Sequence, residues 1–136
     1  MSDRPYRIAV VDYEDSVVRA LQRLLRSAGC IVGAYHDGQA FVDALADQVF
    51  DCVVLDLHMP VMDGFEVQSR LVRLQPQLPR IIITGHDTPE SHRRAMEGGA
   101  SAYLRKPVDG PALLDTIRQV VHKEPGATFQ VEPPQL

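Results

Sequence analysis

The sequence has little cysteine, no long apolar run and almost no lysine, and each shortage excludes something. Cys30 and Cys52 are the two cysteines in 136 residues; they form no C-x-x-C pair and are too few for a disulfide scaffold. The longest unbroken apolar runs, Ile8–Val11 and Cys52–Leu55, have four residues, against the ~18 that a membrane-spanning helix needs. The opening Met-Ser-Asp-Arg carries no apolar stretch of the secretory type, so a cytoplasmic location without membrane association is expected. A formal net charge of −4 does not make a strongly basic nucleic-acid surface. Neither G-x-x-x-x-G-K-[ST] nor G-x-G-x-x-G occurs, so no nucleotide cradle is indicated. Of the basic side chains twelve are Arg, and only Lys106 and Lys123 are Lys. In a chain that prefers Arg for solvated charge, each Lys raises the question of a required compact ammonium.

What is present is 45% apolar and 24% charged, a globular balance. Apolar runs and helical patterns alternate five times. Strands are expected at Tyr6–Val11, Cys30–Tyr35, Cys52–Leu57, Arg80–Thr84 and Ala102–Arg105. Between them, Val17, Leu21, Leu24, Leu25 and Ala28 mark a helix stopped by Gly29. Asp37 caps a second helix carrying Phe41, Ala44 and Leu45, and Phe65, Leu71 and Leu74 mark a third. Thr88-Pro89 opens a rather polar fourth, and Leu113, Leu114, Ile117, Val120 and Val121 form the last, ending near His122. This alternation predicts an α/β, (βα)5 unit: a doubly wound, five-stranded parallel sheet with strand order 2-1-3-4-5. The unit is expected over residues 4–122, with 123–136 as a flexible tail or the start of a linker. Cys30 and Cys52, on strands two and three, would lie ~9.6 Å apart as unpaired core thiols.

The polar residues that interrupt the pattern gather at one edge. Asp12 follows strand one, Asp56 ends strand three, Thr84 ends strand four and Lys106 follows strand five. In a parallel sheet these are all carboxyl ends, where ligands bind at the reversal of strand order. Strands one and three lie ~4.8 Å apart, so Asp12 and Asp56 can share one hard cation such as Mg²⁺. Lys106 lies two strands from Asp56, ~10 Å by the same spacing. A carboxylate, a divalent cation, a lysine and a hydroxyl around one space suit a phosphoryl group.

On these residues the chain resembles the receiver domain of two-component response regulators, the CheY-like family. The resemblance rests on Val11-Asp12, the run Asp56-Leu57-His58-Met59-Pro60-Val61-Met62-Asp63-Gly64, Thr84-Gly85, Tyr103 and Lys106-Pro107. It implies a flavodoxin-like fold and a phosphoacceptor switch rather than an enzyme. It also implies that Asp56 accepts a phosphoryl group from a histidine kinase. Asp12, Asp56 and the backbone carbonyl of His58 would hold Mg²⁺ or Mn²⁺, Thr84 and Lys106 would contact the phosphoryl oxygens, and Tyr103 would change rotamer with Thr84. The fourth helix, fifth strand and fifth helix would form the responsive surface, with a homodimer through it as one partner arrangement and transcription as the output. The similarity is strongest to regulators that carry a C-terminal helix-turn-helix DNA-binding domain, and no direct nucleic-acid contact is expected of this domain.

One position departs from the family pattern. Receivers carry a second acidic residue directly after the first; here Tyr13 stands there, followed by Glu14 as the substitute ligand. Two rival readings stay open, a pseudo-receiver docking module that is never phosphorylated and a phosphohydrolase using Asp56 as nucleophile. His58 and His86 either flank the site or are ordinary loop histidines. The Lys106 charge, placed at a loop, is expected to add little to stability.

Overall fold

The computed structural model of the chain describes residues 4–122; the segment 123–136, expected as a tail or linker, lies outside them. Strands and helices alternate as β1 (Arg7–Val11), α1 (Asp15–Ser27), β2 (Ile31–Tyr35), α2 (Gly38–Ala44), β3 (Cys52–Asp56), α3 (Gly64–Leu74), β4 (Arg80–Thr84), α4 (Pro89–Glu97), β5 (Ala102–Arg105) and α5 (Gly110–Val121). All strand pairs are parallel, and the sheet order is β2-β1-β3-β4-β5.

The sheet is covered on both faces, which is why its strands are continuous apolar runs. Within each strand successive residues serve opposite layers. Ala9, Val11, Val53, Leu55 and Ile82 pack with Phe41 of α2, Val67 and Leu71 of α3 and Ala95 of α4. Ile8, Val10, Val54, Ile81 and Ile83 pack with Leu21 and Leu25 of α1 and Leu113, Ile117 and Val120 of α5. Asp37, Asp63, Thr88 and Asp109 cap α2 to α5, each side chain accepting a hydrogen bond from the backbone N–H three residues on. Glu14, at the cap of α1, makes no such bond.

Several local expectations shift. The buried stripe of α1 is Val18, Leu21 and Leu25, so Val17 flanks it. In α3 the inward residues are Val67, Gln68 and Leu71, while Leu74, in the last turn, is half exposed. Cys30 precedes β2 and is only partly buried; Cys52 is buried, and both are free thiols. Arg80 opens β4 yet is buried, because its guanidinium donates to the carbonyls of Leu78, Gln75 and Pro76 where α3 ends. Burial lowers its pKa. At the amino edge of the sheet Asp51 accepts from the Arg7 backbone N–H at 2.7 Å and pairs with both Arg4 nitrogens at 2.9 Å. Among the described residues no helix is long and apolar enough to cross a membrane.

Candidate functional site

Strand register brings the polar residues to one place. Val11 pairs with Leu55, so Asp12 and Asp56, each one residue further on, lie side by side. Asp56 pairs with Ile83 and Thr84 with Arg105, so Thr84 and Lys106 continue the same edge. The backbone closes the edge: Leu57 N–H donates to Ile83 O at 3.2 Å and Lys106 N–H to Thr84 O at 2.8 Å. Asp12, Asp56 and Thr84 are all buried. Gly64 lets α3 start against this edge, since a Cβ there would lie 2.5 Å from Asp56 O and 2.7 Å from Leu57 Cα.

Lys106 ties the carboxylates together. Its ammonium lies 2.8 Å from Asp12 Oδ2, 3.3 Å from Asp56 Oδ1 and 3.3 Å from Glu14 Oε1. Asp12 Oδ1 accepts the Glu14 N–H at 2.9 Å, whereas Oδ2 is buried without a directed hydrogen bond and meets the ammonium as an ion pair. Asp56 Oδ1 also accepts the His58 N–H at 3.3 Å. Burial, reinforced by the Asp12 charge, raises the Asp56 pKa, and Lys106 opposes that rise. Burial pulls the Lys106 pKa down, but Asp12 and Asp56 outweigh it and hold it above its ordinary value. The Lys106 charge is thus embedded among carboxylates rather than idle on a loop, contrary to the expectation of a small stability role. The Lys106–Pro107 peptide is cis.

The third carboxylate comes from Glu14, while Tyr13 faces solvent, more than half exposed. Glu14 is free to reach the ammonium because it does not cap α1. Thr84 Oγ1 accepts the His86 N–H at 3.1 Å, which leaves its own hydrogen free to donate. His58 and His86 flank the pocket, both exposed, with ring centroids 5.7 Å apart and edge to face. Tyr103 points inward: its ring is buried, its hydroxyl donates to Asp87 at 2.8 Å, and His92 of α4 stands edge-on at 4.6 Å. Burial, then the bond to Asp87, raises the Tyr103 pKa. Asp87 and His92 are contacts that sequence reasoning missed. Asp87 alone had a signal, its place three residues past Thr84 in the loop leaving the site edge.

The response regulator receiver domain family matches residues 8–118. The chain belongs to that family. It is 34% identical over 125 residues to the response regulator protein TmoT of Ectopseudomonas mendocina, covering 92% of this chain and 57% of that protein. It is 38% identical over 121 residues to the transcriptional regulatory protein FixJ of Bradyrhizobium diazoefficiens, covering 88% and 59%. The chain therefore spans little more than half the length of these relatives. Among solved structures, FixJ-N superposes with a TM-score of 0.80 at 30% identity, over 91% of this chain and 98% of that one. The signal receiver domain of an HD domain-containing protein from Pseudomonas fluorescens gives 0.82 at 30% identity, over 87% and 95%. Receiver domains are signalling domains of two-component systems rather than conventional enzymes.

Receiver domains bind Mg²⁺ at this acidic pocket, and the residues present fit such an ion. The donors are hard carboxylate oxygens, and Asp12 Oδ2 is a buried acceptor that lacks a directed hydrogen bond. Among the described residues no three His, Cys, Asp or Glu side chains converge on one metal position. Asp12 and Asp56 supply two, and Glu14 reaches the same space through the Lys106 ammonium.

Proposed function

We propose that this receiver is a phosphoacceptor switch, with Asp56 taking a phosphoryl group from a histidine kinase. The observation that carries the reading is the Lys106 ammonium shared by Asp12, Asp56 and Glu14 at the carboxyl edge of the sheet. An Asp56 carboxylate oxygen forms the new bond to phosphorus as the bond from phosphorus to the donor's imidazole nitrogen breaks, and the leaving imidazole retains that electron pair. Lys106 favours the ionised, nucleophilic Asp56 before transfer and contacts the phosphoryl oxygens after it. The Thr84 hydroxyl donates to another of those oxygens. Asp12, Asp56, the His58 backbone carbonyl and Glu14 would hold Mg²⁺ or Mn²⁺, which would supply neutralisation of charge on the phosphoryl group.

Phosphorylation adds about −1.5 to −2 charges. As Thr84 turns towards them, Tyr103 follows and releases Asp87 and His92, which loosens α4. That helix buries Ala95 alone, so it has little packing to lose. The α4-β5-α5 surface thereby changes, supports a homodimer and controls an output. Transcription is the favoured output because the FixJ relative is a transcriptional regulatory protein. The cytoplasm is the proposed compartment.

Incubation with Mg²⁺ and acetyl phosphate is expected to give an acid-stable, base-labile adduct that Asp56→Asn abolishes. Labelling of the Asn variant as strong as that of the wild type would reject Asp56. A wild type that takes up no phosphoryl group from either acetyl phosphate or kinase would leave a pseudo-receiver docking module.

A further inference from the structure

Away from the acidic pocket, α3 and α4 enclose a groove of about 480 Å³, within the range of ligand-binding clefts, about 300–1,000 Å³. Phe65, Val72 and Arg73 of α3 face Arg94 of α4 across it, with Gln68 and Gly98 also lining it. Arg94 lies over the Phe65 ring at 3.9 Å, a cation–π contact that holds the guanidinium at the groove wall. Neither Arg73 nor Arg94 is ion-paired among the described residues. Glu97 borders the groove too, but Arg93 engages it at 3.0 Å. The groove thus carries two guanidiniums outside any ion pair, Arg94 held on Phe65 and within the field of Glu90, in a chain of net charge −4.

A second, independent observation lies at its end. Gln68 is buried, and its Nε2 donates to Ala95 O at 2.9 Å. That bond fixes the amide orientation, so Oε1 points away from it, and Oε1 has no partner. Buried carbonyl acceptors are seldom left unpaired. Gly98 leaves Oε1 without side-chain cover: a Cβ at Gly98 would lie 3.2 Å from it. Gln68 and Gly98 line the groove together, so a donor seated in it approaches Oε1 past the bare Gly98 backbone.

We propose that the α3–α4 groove is a docking site for an extended acidic peptide segment of a partner protein. Peptide carboxylates pair with Arg73 and Arg94, a backbone N–H of the peptide donates to Gln68 Oε1, and an apolar side chain lies on Val72, which is half exposed. An extended segment is favoured because its backbone N–H groups are free along its whole length, whereas a helix leaves only those of its first turn. The charge pattern selects an acidic segment over a basic one.

The test uses the full chain and a fluorescein-labelled octapeptide alternating Asp and Leu, with its Lys-for-Asp counterpart as control. Saturable anisotropy is expected for the acidic peptide alone, together with NMR shifts at the Gln68 side-chain amide and at the backbone of Ala95–Gly99. Arg73→Glu, on the exposed face of α3, should weaken binding about tenfold or more, the equivalent of about 1.4 kcal/mol. Gly98→Ala, which blocks Oε1, should weaken it several-fold. No saturation, equal binding of the basic peptide, shifts confined elsewhere, or affinity unchanged by either variant would overturn the proposal. None of these readouts depends on phosphorylation.

Discussion

Lys106 Nζ sits 2.8 Å from Asp12 Oδ2 and holds together two carboxylates that neighbouring strands force side by side. A positive charge is needed at that point whatever else the site does. Two desolvated carboxylates on adjacent strands repel, and their Coulomb energy grows as water is excluded. The ammonium is therefore a structural counter-ion as well as a candidate ligand for a phosphoryl group.

Lys106→Met should accordingly destabilise the metal-free protein. Removing one partner of a buried pair costs on the order of 3–5 kcal/mol; with 12% of the Lys106 side chain exposed, about 2–3 kcal/mol is expected. Thermal melts in EDTA and then in Mg²⁺ test this. The deficit should shrink when the divalent ion is supplied, and an unchanged melting temperature in EDTA would refute the counter-ion role.

Asp56→Asn should raise the melting temperature at pH 7. The folded-state pKa of Asp56 lies above its ordinary 3.8, chiefly through burial. The folded chain thus favours the protonated acid, and its stability falls as pH rises through the raised value. Asn removes that loss. The advantage of the variant should be largest at neutral pH and disappear below about pH 3.8, where both states are protonated. Denaturation at a series of pH values in metal-free buffer measures it; an advantage that is flat with pH would contradict the argument.

Glu14→Gln should weaken Mg²⁺ binding about tenfold. A unit charge ~4 Å from a divalent ion contributes about 2 kcal/mol at the dielectric constant of water, part of which desolvation cancels, and ~1.4 kcal/mol is a factor of ten. Tyr13→Asp should tighten binding by adding a carboxylate at the position where other receivers have one. Calorimetric titration of the three proteins decides, and equal affinity in all of them would exclude both positions from the metal site.

Val61→Gly should stabilise the protein by about 1 kcal/mol. Val61 is fully exposed in the β3–α3 loop with φ 70°. The Met62 N–H donates to Pro60 O at 2.8 Å, so Val61 is the centre of a γ-turn of the strained, positive-φ kind. Such a conformation costs roughly 1–3 kcal/mol, and the extra freedom of unfolded glycine returns about 0.4–1 kcal/mol. Urea denaturation measures the difference, and a loss of stability would show that the valine side chain makes a contribution its exposure conceals.

The acidic pocket was legible because it obeys a positional rule: Asp12, Asp56, Thr84 and Lys106 each interrupt or follow an apolar run, and parallel strands carry those ends to one edge. The layering was legible through periodicity. Failures came where a side chain answers to tertiary partners. Arg80 is charged yet buried, since three carbonyls where α3 ends wait for its guanidinium. Leu74 is apolar yet half exposed, at the last position of α3, outside the stripe that Val67, Gln68 and Leu71 turn inward. Glu14 is legible as a pocket residue from its place after Tyr13, and its freedom from the α1 cap is what lets it reach the Lys106 ammonium.

The clamp at the opposite edge, where Asp51 grips Arg7 and Arg4, gives the sheet an anchored end and a working end. Burial is offset there by the Arg4 hydrogen bonds, which hold the Asp51 carboxyl below its ordinary pKa. A substitution at the anchored end acts through folding alone, whereas one at the working end, as at Lys106, alters the stability of the chain and the charge of its pocket together.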